Sequence, residues 1–196
     1  MAWHFIRYDR MRQLGVNHNY MSYLVLDLET QKEFSEIGGR NKVHLLGVSV
    51  VGTYDSENDT YRAYREGELA LLEERFAQKP ILVGFNIKAF DIPVLQPLLK
   101  FSLSSLHVID IMEDLALSLG YRVSLENVAQ GTLNQGKTGH GLEAIRLYRE
   151  GKWDELIEYC LQDVRLTKEV YEYGRANGHV KFFAGWETYE APVKWK

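Results

Sequence analysis

Cysteine is almost missing from this 196-residue sequence. Cys160 stands alone, which excludes an internal disulfide framework and any zinc site built on thiolates, and suits a reducing compartment such as the cytoplasm. Proline is scarce too, four residues against sixteen glycines, and no low-complexity block or charge run is present, so collagen-like and disordered classes do not fit. The longest apolar stretch, residues 43–52, is far too short to cross a bilayer. His4, Arg7, Asp9 and Arg10 interrupt the opening residues where a secretory leader would run apolar, so neither export nor membrane insertion is expected. An excess of positive charge is also absent. Lys and Arg total 23 against 27 Asp and Glu, a net charge of −4, so the molecule as a whole lacks the field that holds polyanions, and a phosphate-bearing ligand would need metal ions or a local basic patch. What is present is 45% apolar and 26% charged residues, enough for one core without staples.

The apolar pattern predicts an α/β fold with a mixed sheet flanked by helices. Residues 23–29, "YLVLDLE", are apolar on both alternating faces, as in a central strand covered on both sides. Strands are expected at 43–51 and 60–65 around the polar turn Asp55–Asp59, giving an antiparallel meander. Helix and strand then alternate: helix 67–78, strand 81–85, helix 91–101, a short strand at His107–Ile111, helices 113–119 and 124–130, a glycine-bearing loop 131–141, helix 142–150 and a long helix 153–174. The expected organisation is an extension at 1–21, one domain at 22–175, and a tail at 176–196 with a strand near Val180–Phe183.

Three acidic candidates stand out, the first of them a pair. Alternation places Asp27 and Glu29 on one face at the carboxyl end of a strand, where open α/β sheets usually build their sites and where carboxylates are costly unless paired or metal-bound. Asp-x-Glu recurs at Asp55 and Glu57, but in a polar segment that a solvated turn explains. On the long helix Asp163 shares a stripe with Leu156, Tyr159, Leu166 and Val170, with no cation one turn away on that stripe, and Tyr159 lies one turn before it on the same face. Tyr159 can also be an amphipathic core tyrosine. Asp91, two residues before Pro93, can be a ligand or a helix cap. Together the carboxylates suggest an all-oxygen divalent-metal site. The six scattered histidines, with no His-x-x-x-His pair, agree with that choice.

Residues 131–138, "GTLNQGKT", match the phosphate-loop pattern Gly-x-x-x-x-Gly-Lys-Thr, which opens a nucleotide-hydrolase reading. That loop works only between a buried strand and a helix, whereas the preceding "VSLENVAQ" has helical spacing. Gly131 is therefore read as a helix C-cap and Lys137 as a basic contact beside the carboxylates.

In this order, "VLDLET", "GFNIKAFDIPVL" and "YCLQDVRLTKEVY" resemble the three motifs of the DEDD superfamily of 3′–5′ exonucleases, which have an RNase H-like fold. The likeness spans about residues 22–174 and is to the proofreading exonuclease domain of family B DNA polymerases and to stand-alone domains related to it. It implies an RNase H-like mixed sheet, an antiparallel meander followed by parallel strands. It assigns Asp27 and Glu29 to the first motif, Asp91 to the second and Asp163 with Tyr159 to the third. The tyrosine subclass is implied, because Glu158 occupies the position where the histidine subclass carries its histidine. Thr30, Asn86, Phe90 and Lys137 match substrate-side positions.

The resemblance implies a two-metal phosphodiester hydrolase using Mg²⁺ or Mn²⁺. In that arrangement Asp27 bridges both ions, Glu29 and Asp163 complete the nucleophile-side ion, and Asp91 holds the other through water. Tyr159 orients the attacking water, since an ordinary phenol is a poor base at neutral pH but a good hydrogen-bond partner. The expected substrate is a single-stranded 3′ end, DNA ahead of RNA. The alternatives are a catalytically silent RNase H-like module that binds nucleic acid or tethers a partner, and an NTP hydrolase using residues 131–138.

Overall fold

Strand β1, Tyr23–Thr30, is buried along its whole length except at half-buried Asp27, and its two faces feed two different cores. Tyr23 and Val25 pack with Val164, Val170 and Tyr171, whereas Leu24, Leu26 and Leu28 pack with Leu72, Phe76, Val94 and Leu95. Period-two alternation therefore sends Asp27 and Glu29 to the face covered by the long helix. The computed structural model describes residues 22–136, 141–184 and 187–195; the expected extension 1–21 and Lys137 lie outside them.

Around β1 the sheet adds β2 (Val48–Asp55), β3 (Thr60–Arg65), β4 (Ile81–Gly84) and β5 (Val108–Asp110) in the order β3-β2-β1-β4-β5. The β1–β2 and β2–β3 pairs are antiparallel, β1–β4 and β4–β5 parallel, so the meander-then-parallel expectation holds. Helices α1 (Leu69–Phe76), α2 (Asp91–Leu95), α3 (Ile111–Leu119), α4 (Leu125–Leu133), α5 (Gly141–Arg149) and α6 (Trp153–Asn177) flank it. Burial of Leu156, Cys160, Asp163, Val164, Thr167, Val170, Tyr171 and Gly174 draws the stripe along which the 25-residue α6 lies on the sheet. No helix among the described residues is long and apolar enough to cross a membrane.

Three local expectations need correction. The strand expected from residue 43 starts at Val48, because residues 40–45 coil as a 3₁₀ segment and Gly47, at φ 69°, turns the chain into the sheet. The helix expected over 91–101 ends at Leu95 and tightens into a 3₁₀ turn at Gln96–Leu98, where Pro97 has no N–H to continue the α ladder. Gly131 is not a cap. It lies inside α4, whose C-cap is Asn134 at φ 57°, and a Cβ at 131 would come within 2.6–2.8 Å of the Lys181–Phe182 backbone. The strand expected near Val180–Phe183 is present. It is β6 (His179–Ala184), which among the described residues pairs only with β7 (Glu187–Pro192), in a two-stranded sheet of its own, and docks on α4 through Gly131 and through the Thr132 hydroxyl, bonded to both Lys181 N–H and C=O at 2.9 and 2.7 Å. A helix precedes residue 134, so the buried strand required by a phosphate loop is not there.

Candidate metal centre

Three of the acidic side chains converge. One carboxylate oxygen each from Asp27, Glu29 and Asp163 can be chosen so that all lie within 4.8 Å of one another, with Glu29 and Asp163 buried and Asp27 half-buried. The convergence follows from the secondary structure. Asp27 and Glu29 are two residues apart on one strand face, and α6 crosses that face with Asp163 on its buried stripe. The donors are hard oxygens throughout. Cys160, one turn before Asp163, points its thiol to the Asp27 carbonyl at 3.6 Å, and burial, with the charges of Asp27, Glu29 and Asp163, holds that thiol well above its ordinary pKa. It stays protonated and offers no thiolate. Crowded carboxylates without thiolate or imidazole suit a Mg²⁺- or Mn²⁺-class cation, which would relieve their repulsion.

Asp91 stands beside this group rather than in it. It is the first residue of α2, whose N-cap position is Phe90, and its Oδ1 accepts the Leu28 N–H at 3.1 Å, so the helix-cap alternative is replaced by a tie to β1 between Asp27 and Glu29. Its pKa is raised to about 8, chiefly by burial, with the negative charges of Asp110 and Asp163 adding and the Leu28 N–H opposing. A protonated or cation-compensated Asp91 is the form this environment accepts.

Asp110 escaped the sequence reading. Buried at the end of β5, it caps α3 through Glu113 N–H at 3.1 Å and also accepts Asn86 N–H at 2.9 Å and Lys88 N–H at 3.0 Å. One carboxylate thus holds the turn that carries Asn86, at φ 66°, and Phe90 up to Asp91. The local sequence signals only the cap, since the other two donors come from a loop more than twenty residues upstream.

Tyr159 is half-buried on α6, packed against the buried cluster of Val50, Ala144, Leu147, Leu156 and Cys160, and its hydroxyl oxygen is shut off from solvent. Thr30 is buried at the end of β1 and donates its hydroxyl to the Lys32 carbonyl at 3.1 Å. The ring of Phe90 meets that of Phe34 edge-on at 6.1 Å, and Asn86 Oδ1 is buried with no hydrogen-bond donor among the described residues.

The comparisons agree with this architecture. A family model described as the RNase_H superfamily matches residues 24–174. RNase D of Trypanosoma brucei superposes with a TM-score of 0.56 at 12% identity, covering 84% of this chain and 61% of that one. The same protein in complex with RNA U12 gives 0.56 at 13% identity, covering 84% and 59%. This chain therefore spans about 60% of the length of those solved structures. No curated protein matches the sequence. With the family match covering β1 through most of α6, and a five-stranded sheet of antiparallel meander and parallel strands, the chain belongs to the RNase H superfamily.

Proposed function

We propose that the chain is a metal-dependent 3′–5′ exonuclease of the DEDD type that hydrolyses phosphodiester bonds at single-stranded nucleic-acid ends. The observation that carries this reading is the convergence of Asp27, Glu29 and Asp163 on one point of the α6 face, with Asp91 tied to the strand between the first two. Such a cluster is expensive for a module that only binds, because buried like charges destabilise the fold until a cation joins them. Asp27, Glu29 and Asp163 would hold a divalent ion and Asp91 would hold a second through water. Bound there, the ions would supply the charge that acidifies a water molecule and stabilises the attacking and leaving oxygens. Tyr159 orients the attacking water by hydrogen bonding, Thr30, Asn86 and Phe90 line the substrate side, and the motif likeness alone adds Lys137 to the substrate contacts.

Polarity and strand preference rest on likeness. The motifs resemble those of proofreading domains, which favours DNA, while the similarity to an RNase D that was crystallised with RNA U12 places RNA in the same assay. The test is hydrolysis of end-labelled single-stranded DNA and RNA with Mg²⁺, Mn²⁺ or EDTA. Turnover that needs the metal and is blocked by a 3′-terminal phosphorothioate, but not by a 5′-terminal one, supports the reading. Absence of turnover with either metal, or a block from the 5′ end, overturns it.

A further inference from the structure

The segment joining β1 to β2, residues 31–47, leaves the sheet directly beyond Asp27, Glu29 and Thr30, and its base is closed by the Gln31 N–H bonding the Gly47 carbonyl at 3.2 Å. It lies against the second acidic element. Phe34 packs on Phe90, the residue before Asp91, and residues 40–45 pack against α2. The segment therefore forms one wall beside the carboxylates.

Its charge is lopsided. Lys32, Arg40 and Lys42 are exposed, and none has a carboxylate within ion-pair distance among the described residues. The segment's two acids are already engaged. Glu36 accepts from Arg149 on α5 at 2.5 Å and from the Glu33 N–H at 2.7 Å, and Glu33 lies 3.9 Å from the same guanidinium. Arg40 is anchored with its guanidinium 5.1 Å from the centre of the Phe34 ring, which connects it through Phe34 and Phe90 to the start of α2. In a chain of net charge −4, this wall carries positive charge that its own acids do not cancel.

A polyanionic strand approaching four carboxylates is repelled, and the net field of the molecule adds to that repulsion. Local cations beside the site oppose it. Resting on the exonuclease reading above, we propose that Lys32, Arg40 and Lys42 form a phosphate-contact strip that draws the backbone of a single strand, DNA or RNA, alongside the carboxylates. Contacts of this kind carry no sequence information and reveal themselves through counterion release.

The experiment compares wild type, the triple variant Lys32→Ala/Arg40→Ala/Lys42→Ala, and a control that removes two exposed cations elsewhere, Lys100→Ala/Arg122→Ala. Binding of fluorescent oligo-dT and oligo-U is followed by anisotropy in EDTA as salt is raised. Each phosphate contact to a single strand contributes about −0.7 to the slope of log K against log salt, so the triple variant should be shallower by about 2 and the control unchanged. From about 50 to 200 mM salt, its affinity should then fall roughly twenty-fold less than that of wild type. The Mn²⁺-induced rise in melting temperature should be at least as large as in wild type, showing an intact carboxylate site. A wild-type slope in the triple variant, or an equal change in the control, overturns the strip while leaving the exonuclease reading standing. A wild type that neither binds nor hydrolyses the oligonucleotides overturns that reading and the strip with it.

Discussion

Gly52 and Cys160 set how closely α6 approaches the sheet. A Cβ built on Gly52 would lie 2.8 Å from the Cys160 Sγ and 3.0 Å from Val164 Cγ2, nearer than side chains tolerate. Gly52 is the register partner of Asp27 across β1 and β2, and Cys160 is one turn before Asp163. The contact therefore fixes the gap across which Asp163 reaches Asp27 and Glu29. Gly52→Ala should cost about 1–3 kcal/mol through overpacking and reduce the melting shift induced by Mn²⁺. Adding Cys160→Ala removes the nearest clashing atom and should recover part of both, as read by calorimetry with EDTA and with Mn²⁺. No recovery would mean that the helix position does not depend on this contact.

Asp163→Asn should separate charge from structure. It removes one member of a crowded acidic group at constant size, so the metal-free protein should melt at a higher temperature than metal-free wild type. A cation that binds only the native state adds about 2.7 kcal/mol at a hundredfold excess over its Kd, or about 5–10 °C for a chain of this size, and the variant should show a clearly smaller shift. Asp27→Asn should likewise lose hydrolysis and keep the fold, checked by circular dichroism beside the nuclease assay. An Asp163→Asn protein with the wild-type Mn²⁺ shift would show that Asp163 is not a ligand.

The pH dependence of metal-free stability follows from Asp91. Its pKa is raised to about 8 in the folded chain against about 4 when unfolded, so between these values the native state holds a proton that the unfolded state has released. Stability in EDTA should therefore fall as pH rises from about 4 to about 8 and level off above that. Asp91→Asn keeps an oxygen for the Leu28 N–H, cannot ionise, and should flatten the curve. Urea titrations of both proteins across this range make the comparison; an equally steep curve in the variant would assign the dependence to other groups.

Asp110 gives a graded pair of variants. Its Oδ1 accepts from Asn86 and Glu113, and its Oδ2 from Lys88. Asp110→Asn can keep the first two bonds and lose the third, whereas Asp110→Ala loses all three and should cost about 2–4 kcal/mol. Because the freed loop leads into Asp91, the alanine variant should also raise KM for an oligonucleotide more than the asparagine variant does. Equal losses of stability in the two would show that the cap on α3 contributes little.

What the sequence made legible were features written in short-range periodicity. The two-sided apolar run of β1 put Asp27 and Glu29 on one face, and the stripe through Leu156, Leu166 and Val170 put Asp163 on the buried side of α6. Features that depend on distant backbone stayed hidden. Asp91 reads locally as a ligand or a cap before Pro93, with no sign of its tie to the Leu28 N–H 63 residues earlier, while Gly52 is unremarkable until α6 is laid over it. Gly131 likewise mimics a phosphate loop because close packing on the Phe182 backbone and close approach to a phosphate both call for a residue without Cβ.

Tyr159 tests how the hydrolytic step divides between cation and protein. Its hydroxyl is shielded from solvent on α6 one turn before Asp163, and its side chain packs against the buried cluster that contains Val50, Leu156 and Cys160. Tyr159→Phe keeps that packing and removes one hydrogen-bonding group, so stability should change by no more than about 1 kcal/mol. The Mn²⁺ melting shift should match wild type because no carboxylate is touched. Turnover should slow by one to three orders of magnitude without vanishing, about what one oriented hydrogen bond contributes in a transition state. KM for the oligonucleotide should hold, since the lost interaction is to water rather than to the strand. If turnover vanishes together with the melting shift, Tyr159 supports the carboxylate site itself; if turnover is unchanged, it is a packing tyrosine and the attacking water is oriented by another group.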